Sequence, residues 1–289
     1  MSDPASVQQH VNTLASAHFT ALRHVIGTYP ISRLIDAAVT RDRAEKARLH
    51  PNPLMRHGQK FFSQNDEDGI LLEILRRTGL SGGSFLEVGV GNGLENNTLI
   101  LLMQGWRGAW LGGEALAFSI QPGTTNLDFT QAWIDRDNVC GLRDGAAQRL
   151  GISQFDVLSI DLDGNDLHVL GGLVNGDHRP GVVIVEYNGK FPPPVRFTID
   201  YNREHRFNDT DYFGASLQSF ADLLMPLGYR LVACNITGAN AFFVAEHLQG
   251  GFEDVPRRLE ELFIPADYGS VIGTGHPPSG QTVQSFLRR

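Results

Sequence analysis

The stretch Phe85-Leu86-Glu87-Val88-Gly89-Val90-Gly91-Asn92-Gly93 joins a short apolar run to one acid and three glycines at alternate positions. An apolar run of this length, bounded by glycine, reads as a buried strand. The glycines let the chain turn tightly and approach a ligand that any Cβ would repel. Asn96, Asn97 and Thr98 follow as candidate caps for a helix beginning at Leu99. The expectation is a strand running into a nucleotide-binding loop, with helix N–H groups beside the ligand.

Spacing narrows the nucleotide. A dinucleotide fingerprint runs Gly-x-Gly-x-x-Gly, and its third glycine would fall at Leu94. A Walker phosphate loop is excluded because no Gly-Lys-Ser/Thr follows. What stands is acidic-x-Gly-x-Gly-x-Gly, which resembles the first motif of the class I S-adenosylmethionine-dependent methyltransferases. In that family the loop packs against the methionine and ribose portions of the cofactor. The competing reading is a generic strand-turn-helix corner.

Composition bounds the rest. A chain of 289 residues that is 42% hydrophobic holds ample core for one large α/β domain with an appendage. Its longest apolar runs, such as 99–103, fall far short of the ~20 residues a bilayer span needs, so no membrane partner is expected. The opening Met1-Ser2-Asp3-Pro4 lacks a basic region followed by an apolar one, which leads to the expectation of a cytoplasmic protein without a secretory signal. Two cysteines, Cys140 and Cys234, lie too far apart in sequence for a metal-ligand pattern or a disulfide framework. With 32 acidic against 24 basic residues the net charge is -8, and nucleic acid is not an expected partner, because binding to it rests on phosphate neutralisation. A small-molecule acceptor fits better. The basic residues between Arg41 and Lys60 are diluted by Asp42 and Glu45 into an ordinary solvated helix face.

Along the chain, Val11, Ala15, Phe19, Leu22 and Ile26 fall at helical spacing, and after Pro30 the residues Ile31, Leu34, Ile35, Ala38 and Val39 start a second helical pattern. These helices would cap the main domain or pair two copies as a homodimer. From residue 61 the character changes. A helix is expected at 70–77, a strand at 84–90, a helix near 98–104 and a strand near 109–112. An irregular region then extends to Leu150, followed by strands at 155–160 and 182–187, a helix at 215–227, and a hairpin of strands 229–235 and 241–244. Alternating strands and helices imply a parallel sheet. A closing hairpin is a feature of the class I methyltransferase fold that a plain dinucleotide-binding fold lacks. The expected fold is therefore α/β, a doubly wound, mostly parallel seven-stranded sheet with a C-terminal antiparallel hairpin and an N-terminal helical appendage. The end of the chain, from about Glu246, reads as a short helix and a loose extension.

Ligands of an open parallel sheet sit at the carboxyl ends of its strands, around the switch point. The polar residues there are Glu87, Gly89, Gly91, Asn92, Gly93 and Asn97 after the first strand and Glu114 after the second. Further on come Asp161 to Asp166 after the fourth and Glu186, Tyr187 and Asn188 after the fifth. Glu114 is the candidate for the ribose hydroxyls, although it follows a two-glycine turn where the usual acid ends the strand. The segment Asp161-Leu162-Asp163-Gly164-Asn165-Asp166 is denser in acid than a turn requires. It would bind Mg²⁺, supply a general base through Asp161, Asp163 or His168, or merely cap the helix that follows. Asp161, Asp163, Glu186 and Asn188 resemble the magnesium ligands of some sugar and catechol O-methyltransferases. The long connection 189–214, with three prolines and several aromatics, reads as a substrate wall or lid.

Together Phe62-Ser63-Gln64-Asn65-Asp66-Glu67-Asp68-Gly69-Ile70, the 87–98 loop, 159–166, 185–194 and Tyr212-Phe213-Gly214-Ala215-Ser216-Leu217 resemble the FkbM-like branch of class I methyltransferases over residues 61–245. The resemblance implies S-adenosylmethionine as donor, held by Gln64, Glu87, Gly89, Gly91, Asn92, Gly93, Asn97, Glu114 and Asp161, and hydroxyl acceptors on sugars or natural-product intermediates. It divides the chain into an N-terminal helical segment (1–58), a methyltransferase domain (59–250) and a C-terminal extension (251–289). N-methylation of a small molecule, an NAD-type enzyme and a non-catalytic nucleotide-binding protein of the same fold are the alternatives.

Overall fold

The computed structural model describes residues 30–120, 126–174, 176 and 178–267. The chain divides into two units, residues 1–46 and 47–289. In the first, the second helical pattern forms α1 (Pro30–Leu49), where Asp42 and Lys46 pair one turn apart at 2.7 Å. The helix expected over residues 11–26 lies outside the described residues.

The second unit is built on one seven-stranded sheet. In chain order its elements are α2 (Glu67–Thr78), β1 (Ser84–Val88), α3 (Leu99–Met103), β2 (Arg107–Gly112) and β3 (Leu127–Gln131). They continue with α4 (Val139–Leu150), β4 (Val157–Ile160), α5 (Asp166–Val174), β5 (Val182–Glu186), α6 (Leu217–Leu224), β6 (Tyr229–Cys234), β7 (Asn240–Ala245) and α7 (Leu259–Leu262). The strand order is β3-β2-β1-β4-β5-β7-β6. The first five strands run parallel, and β7 lies antiparallel between β5 and β6. The fold is thus α/β and doubly wound, with the C-terminal hairpin inserted at one edge.

The central strands need no alternation, because helices cover both faces of the sheet. Phe85, Leu86, Val88, Val157, Leu158, Ile160 and the run Val182-Val183-Ile184-Val185 are all buried in one continuous core. At roughly 25 cal/mol per Å² of apolar surface, this block supplies most of the drive to fold. Among the described residues, no helix is long and apolar enough to cross a membrane.

Two elements stand where an irregular region was expected. β3 is an edge strand whose polar Asp128 and Thr130 interrupt its apolar pattern, and α4 carries Gly141 and Gly145 in its interior, which lowers intrinsic helix preference by about 1 kcal/mol each. The segment after Glu246 also differs from the loose extension expected. Phe252, Val255, Leu262 and Ala266 are buried, and the Arg230 guanidinium donates to the carbonyls of Phe252 and Val255 at 3.0 and 2.6 Å. Those apolar residues are spaced irregularly, so no periodicity announces them. Residues 268–289 lie outside the described residues.

The 189–214 connection is ordered by its own small core of Phe191, Phe197, Ile199 and Tyr212, with Phe191 and Phe197 stacked at 4.3 Å. Its two ends are tied together by Lys190 and Asp211, paired at 2.8 Å.

Candidate functional site

The strand order reverses between β1 and β4, and the glycine turn sits at the carboxyl end of β1 beside that point. Its three glycines have different tasks. Gly89 has φ +95° and lies so close to β4 that a Cβ there would stand 1.6 Å from the Asp161 carbonyl oxygen. Gly91 has φ +50° with nothing within 4 Å of where its Cβ would be, so it faces open space on an exposed turn. Gly93, at φ +81°, packs under Leu116 and Trp110 of the second strand and its loop. Asn92 is exposed beside them, its Oδ1 accepting from the Leu94 N–H at 3.1 Å.

Glu87 is 4% exposed and turned inward. Its carboxylate accepts the N–H groups of Asn97 and Thr98 at 2.9 and 3.0 Å and the Thr98 hydroxyl, which in turn accepts from Trp110 Nε1 at 2.9 Å. Burial pushes its pKa up, and these bonds oppose that shift. The N–H groups expected to face the ligand from the helix start are therefore spent on Glu87, and Thr98 makes no side-chain cap on the five-residue α3. Asn97 lies behind the loop, its side chain donating to Ser159 Oγ at 3.2 Å. Glu87 and Asn97 hold the loop's shape; the open surface belongs to Gly91 and Asn92. Glu114 stands exposed on the turn after β2.

At the ends of β4 and β5 the chain crowds carboxylates. Asp161, Asp163 and Glu186 each place one oxygen within 4.8 Å of the others. Asp163 adopts φ +52°, a left-handed backbone uncommon outside glycine. Asp166, the first residue of α5, accepts from the Leu162 and Gly164 N–H groups at 2.6 and 2.9 Å and so clamps the turn that presents the other two acids. Its own pKa is pushed to about 6, chiefly by burial. Burial, followed by the charges of Asp163 and Asp166, pushes Asp161 up to about 8. Burial and the charge of Asp161 raise Glu186 well above its ordinary value, and Glu186 Oε2 is buried without a hydrogen-bond partner.

Asn188, expected as a fourth metal ligand, has its Oδ1 engaged by the Lys190 N–H at 3.3 Å. Its side-chain amide is buried and donates to the carbonyls of Asp211 and Phe213 at 3.0 and 3.2 Å, pinning the return of the connection. His168, one turn into α5, is also turned elsewhere: its Nε2 lies 2.8 Å from the Ile199 carbonyl and its ring packs edge-on to Tyr201.

A cavity of about 370 Å³ opens beside the acids, lined by Gln64, Asn65, Asp163, Glu186, Phe207, Phe213 and Ala239. Five separate segments of the chain meet there, and every charged group in the lining is acidic. Phe207 and Phe213 stand edge to face at 5.6 Å, so the connection does form a wall. Asn65 adjoins the predicted Gln64, whereas nothing in a hairpin turn marked Ala239. His205, within the connection read from sequence as a wall or lid, has its ring against Gly164, where a Cβ would come within 2.2 Å of it.

The connection is braced to the loop after β3. Arg203 pairs with the fully buried Asp135 at 2.7 Å, Arg206 lies over the Trp133 ring at 4.6 Å, and Arg136 lies over the Tyr201 ring at 4.0 Å. Asp135 also accepts the N–H groups of Asp137 and Asn138 at the entrance to α4. Removing the guanidinium with Arg203→Ala should lower unfolding free energy by about 1–2 kcal/mol, since Asp135 keeps its backbone partners. Urea denaturation checks this.

The chain matches no protein-family model and no curated protein. Among solved structures it is similar to a chain from Plasmodium falciparum assigned as a ribosomal RNA methyltransferase. Identity there is 11%, over 64% of this chain and 97% of that one, with a TM-score of 0.38. It is similar to the MycE methyltransferase of the mycinamycin biosynthetic pathway in complex with Mg and SAH at 13% identity, over 69% and 58% of the two chains, with a TM-score of 0.32. A third is the Burkholderia thailandensis 1,6-didemethyltoxoflavin-N1-methyltransferase with bound 1,6-didemethyltoxoflavin and S-adenosylhomocysteine, at 12% identity over 84% and 89%, with a TM-score of 0.35. The fold class stated above rests on the sheet's own order rather than on these likenesses.

Proposed function

We propose that the chain is an S-adenosylmethionine-dependent methyltransferase. It would hold the cofactor at the 89–93 loop and the acceptor, a hydroxyl-bearing sugar or natural-product intermediate, in the cavity beside Asp163 and Glu186. The observation that carries this reading is the open, left-handed turn at Gly91, placed where the strand order reverses in a sheet closed by an antiparallel β7. That turn leaves room for a cofactor: Gly89 and Gly93 are packed against neighbours, and Gly91 alone of the three loop glycines faces open space. Asn92 is exposed beside Gly91, Gln64 lines the cavity beside the acids, and Asp161 converges with two of that cavity's carboxylates.

The bound cofactor would supply an activated sulfonium methyl with a good leaving group. The chain's own work is then modest. It positions the acceptor against the methyl group and keeps water out, which is where most of the rate arises in such a displacement. Phe207 and Phe213 would supply an apolar wall, and Asp163, in the same lining, would take the acceptor proton.

Asp161, Asp163 and Glu186 also fit a divalent cation. Three carboxylate oxygens converge, one Glu186 oxygen has no partner, and burial, followed by the charges of neighbouring acids, raises the pKa values of Asp161 and Glu186. Mg²⁺ held there would orient and acidify an acceptor hydroxyl.

Calorimetric titration with S-adenosylhomocysteine tests the reading, with NAD as control and with Mg²⁺ present or absent. Micromolar binding of S-adenosylhomocysteine and none of NAD is expected. Binding of NAD alone would move the protein to the dinucleotide class.

A further inference from the structure

Asp66, Glu67 and Asp68 are three consecutive carboxylates close to the crevice, and none of them faces it. Asp68 Oδ2 gathers the N–H groups of Phe61, Phe62 and Ser63 at 2.7, 2.6 and 2.9 Å. Asp66 accepts the Ile236 N–H of the β6–β7 turn at 3.1 Å. Glu67 is 1% exposed and makes the decisive set of bonds. Its Oε2 accepts the Asn65 N–H at 2.7 Å, and its Oε1 accepts the side-chain amides of Asn235 at 2.7 Å and Asn240 at 3.0 Å.

These partners belong to two walls of one cavity. Gln64 and Asn65 form one wall, and Ala239, next to Asn240, forms the other. Asn240 is also the ladder partner of Glu186 across β5 and β7. Asn235 has no slack to absorb a shift: its Oδ1 accepts the N–H groups of Ala239 and Asn240 at 2.9 Å each, and its amide also reaches Thr237 Oγ1 at 2.7 Å. A buried charge held by three donors has a fixed place, because any displacement strips it of bonds that water cannot replace.

We infer that Glu67 is a positioning residue: it sets the Gln64–Asn65 wall against the β6–β7 turn and so fixes the width of the cavity next to Glu186. The link to ligand binding rests on the proposed methyltransferase reading; the positioning itself does not. Glu67→Gln has nearly the same shape but turns one acceptor into a donor, which then faces either the Asn65 N–H or the two asparagine amides. One wall must be released.

Two measurements on the full chain separate this role from simple stabilisation. Amide hydrogen exchange in Glu67→Gln should speed up about tenfold or more at Asn65 or, where the new amide turns the other way, at residues 239–241, with β1, β4 and β5 unchanged, the factor expected when about 1.4 kcal/mol of local protection is lost. S-adenosylhomocysteine should bind about tenfold more weakly at a temperature well below unfolding, and adding Gln64→Ala should cost little more, as two changes at one wall are non-additive. Uniform acceleration of exchange over the whole sheet, or unchanged protection at both Asn65 and residues 239–241, would overturn the inference. Silence of the wild-type chain toward S-adenosylhomocysteine would sink the methyltransferase reading alone, and the exchange result would still decide the role of Glu67. Should Glu67→Gln fail to fold, Asn240→Ala removes a single donor: faster exchange confined to residues 239–241 supports the arrangement, and no local change contradicts it.

Discussion

Gly89→Ala should leave little folded protein, whereas Gly91→Ala should fold and lose the cofactor. At Gly89 a methyl group would lie 1.6 Å from the Asp161 carbonyl oxygen, and φ is +95°. The obstacle is backbone, so no side chain can move aside. β1 and β4 would have to separate where Val88 and Ile160 pair, at the centre of the core. A cost of about 4 kcal/mol or more is expected, a large share of a typical domain's total stability. At Gly91, φ is +50° and the space is open, so alanine costs only about 1–2 kcal/mol of left-handed strain. The added methyl would instead project into the open space proposed for the cofactor, and S-adenosylhomocysteine affinity should fall by at least about tenfold, or 1.4 kcal/mol. Circular dichroism with urea unfolding reads the first effect and calorimetry the second. A well-folded Gly89→Ala protein would mean that the loop is not seated against β4 as described.

Asp161→Asn is the second large effect, and its sign is unusual for an acid at a proposed site: the variant should be more stable than the parent. The folded-state pKa of Asp161 is raised from 3.8 to about 8, mostly by burial and then by Asp163 and Asp166. For a group raised in this way the favourable contribution is complete below about pH 4. It is lost progressively as pH climbs toward 8, because the unfolded chain ionises freely and the folded one resists. The ligand-free protein should therefore lose stability between pH 4 and 8. Asparagine removes that loss and relieves Glu186 of its nearest charge. A gain of roughly 1–2 kcal/mol near pH 8 is expected, discounted because Asp161 is only half-buried, and this corresponds to a rise in Tm of about 2–8 °C. Millimolar Mg²⁺ should raise the Tm of the parent and leave that of Asp161→Asn unchanged. Thermal unfolding across pH 4–8, with and without Mg²⁺, decides both points. A destabilised variant would show that Asp161 is held by attractive rather than repulsive neighbours.

The fold was legible where one residue type admits one explanation. Glycine at 89, 91 and 93 after an apolar run announces a strand-end turn, and the unbroken Val182-Val183-Ile184-Val185 announces a strand buried on both faces. β3 and α4 were hidden because local preference and tertiary role disagree in them: polar Asp128 and Thr130 sit in a strand, and Gly141 and Gly145 sit in a helix that packs against the sheet.

At the site, Asp161, Asp163 and Glu186 converge as their places in the sequence suggest, since residues ending adjacent parallel strands meet at one edge. It could not tell which way a side chain points. Asn188 follows Glu186 by two positions, yet it is drawn under the connection by the carbonyls of Asp211 and Phe213. Those partners lie more than twenty residues away along the chain, and no local pattern encodes them. His168 is taken by Ile199 in the same way. The acids of the 66–68 run are identifiable from sequence as polar but not as buried, because the asparagines that satisfy Glu67 arrive from the last two strands.

The central claim is that the 89–93 loop holds S-adenosylmethionine. Ultraviolet crosslinking of methyl-labelled S-adenosylmethionine, followed by tryptic mapping, tests it most directly. Label in the peptide 78–107, which contains the loop, and competition by unlabelled S-adenosylhomocysteine are the predicted results. Label confined to other peptides, or incorporation that S-adenosylhomocysteine does not suppress, would contradict the account.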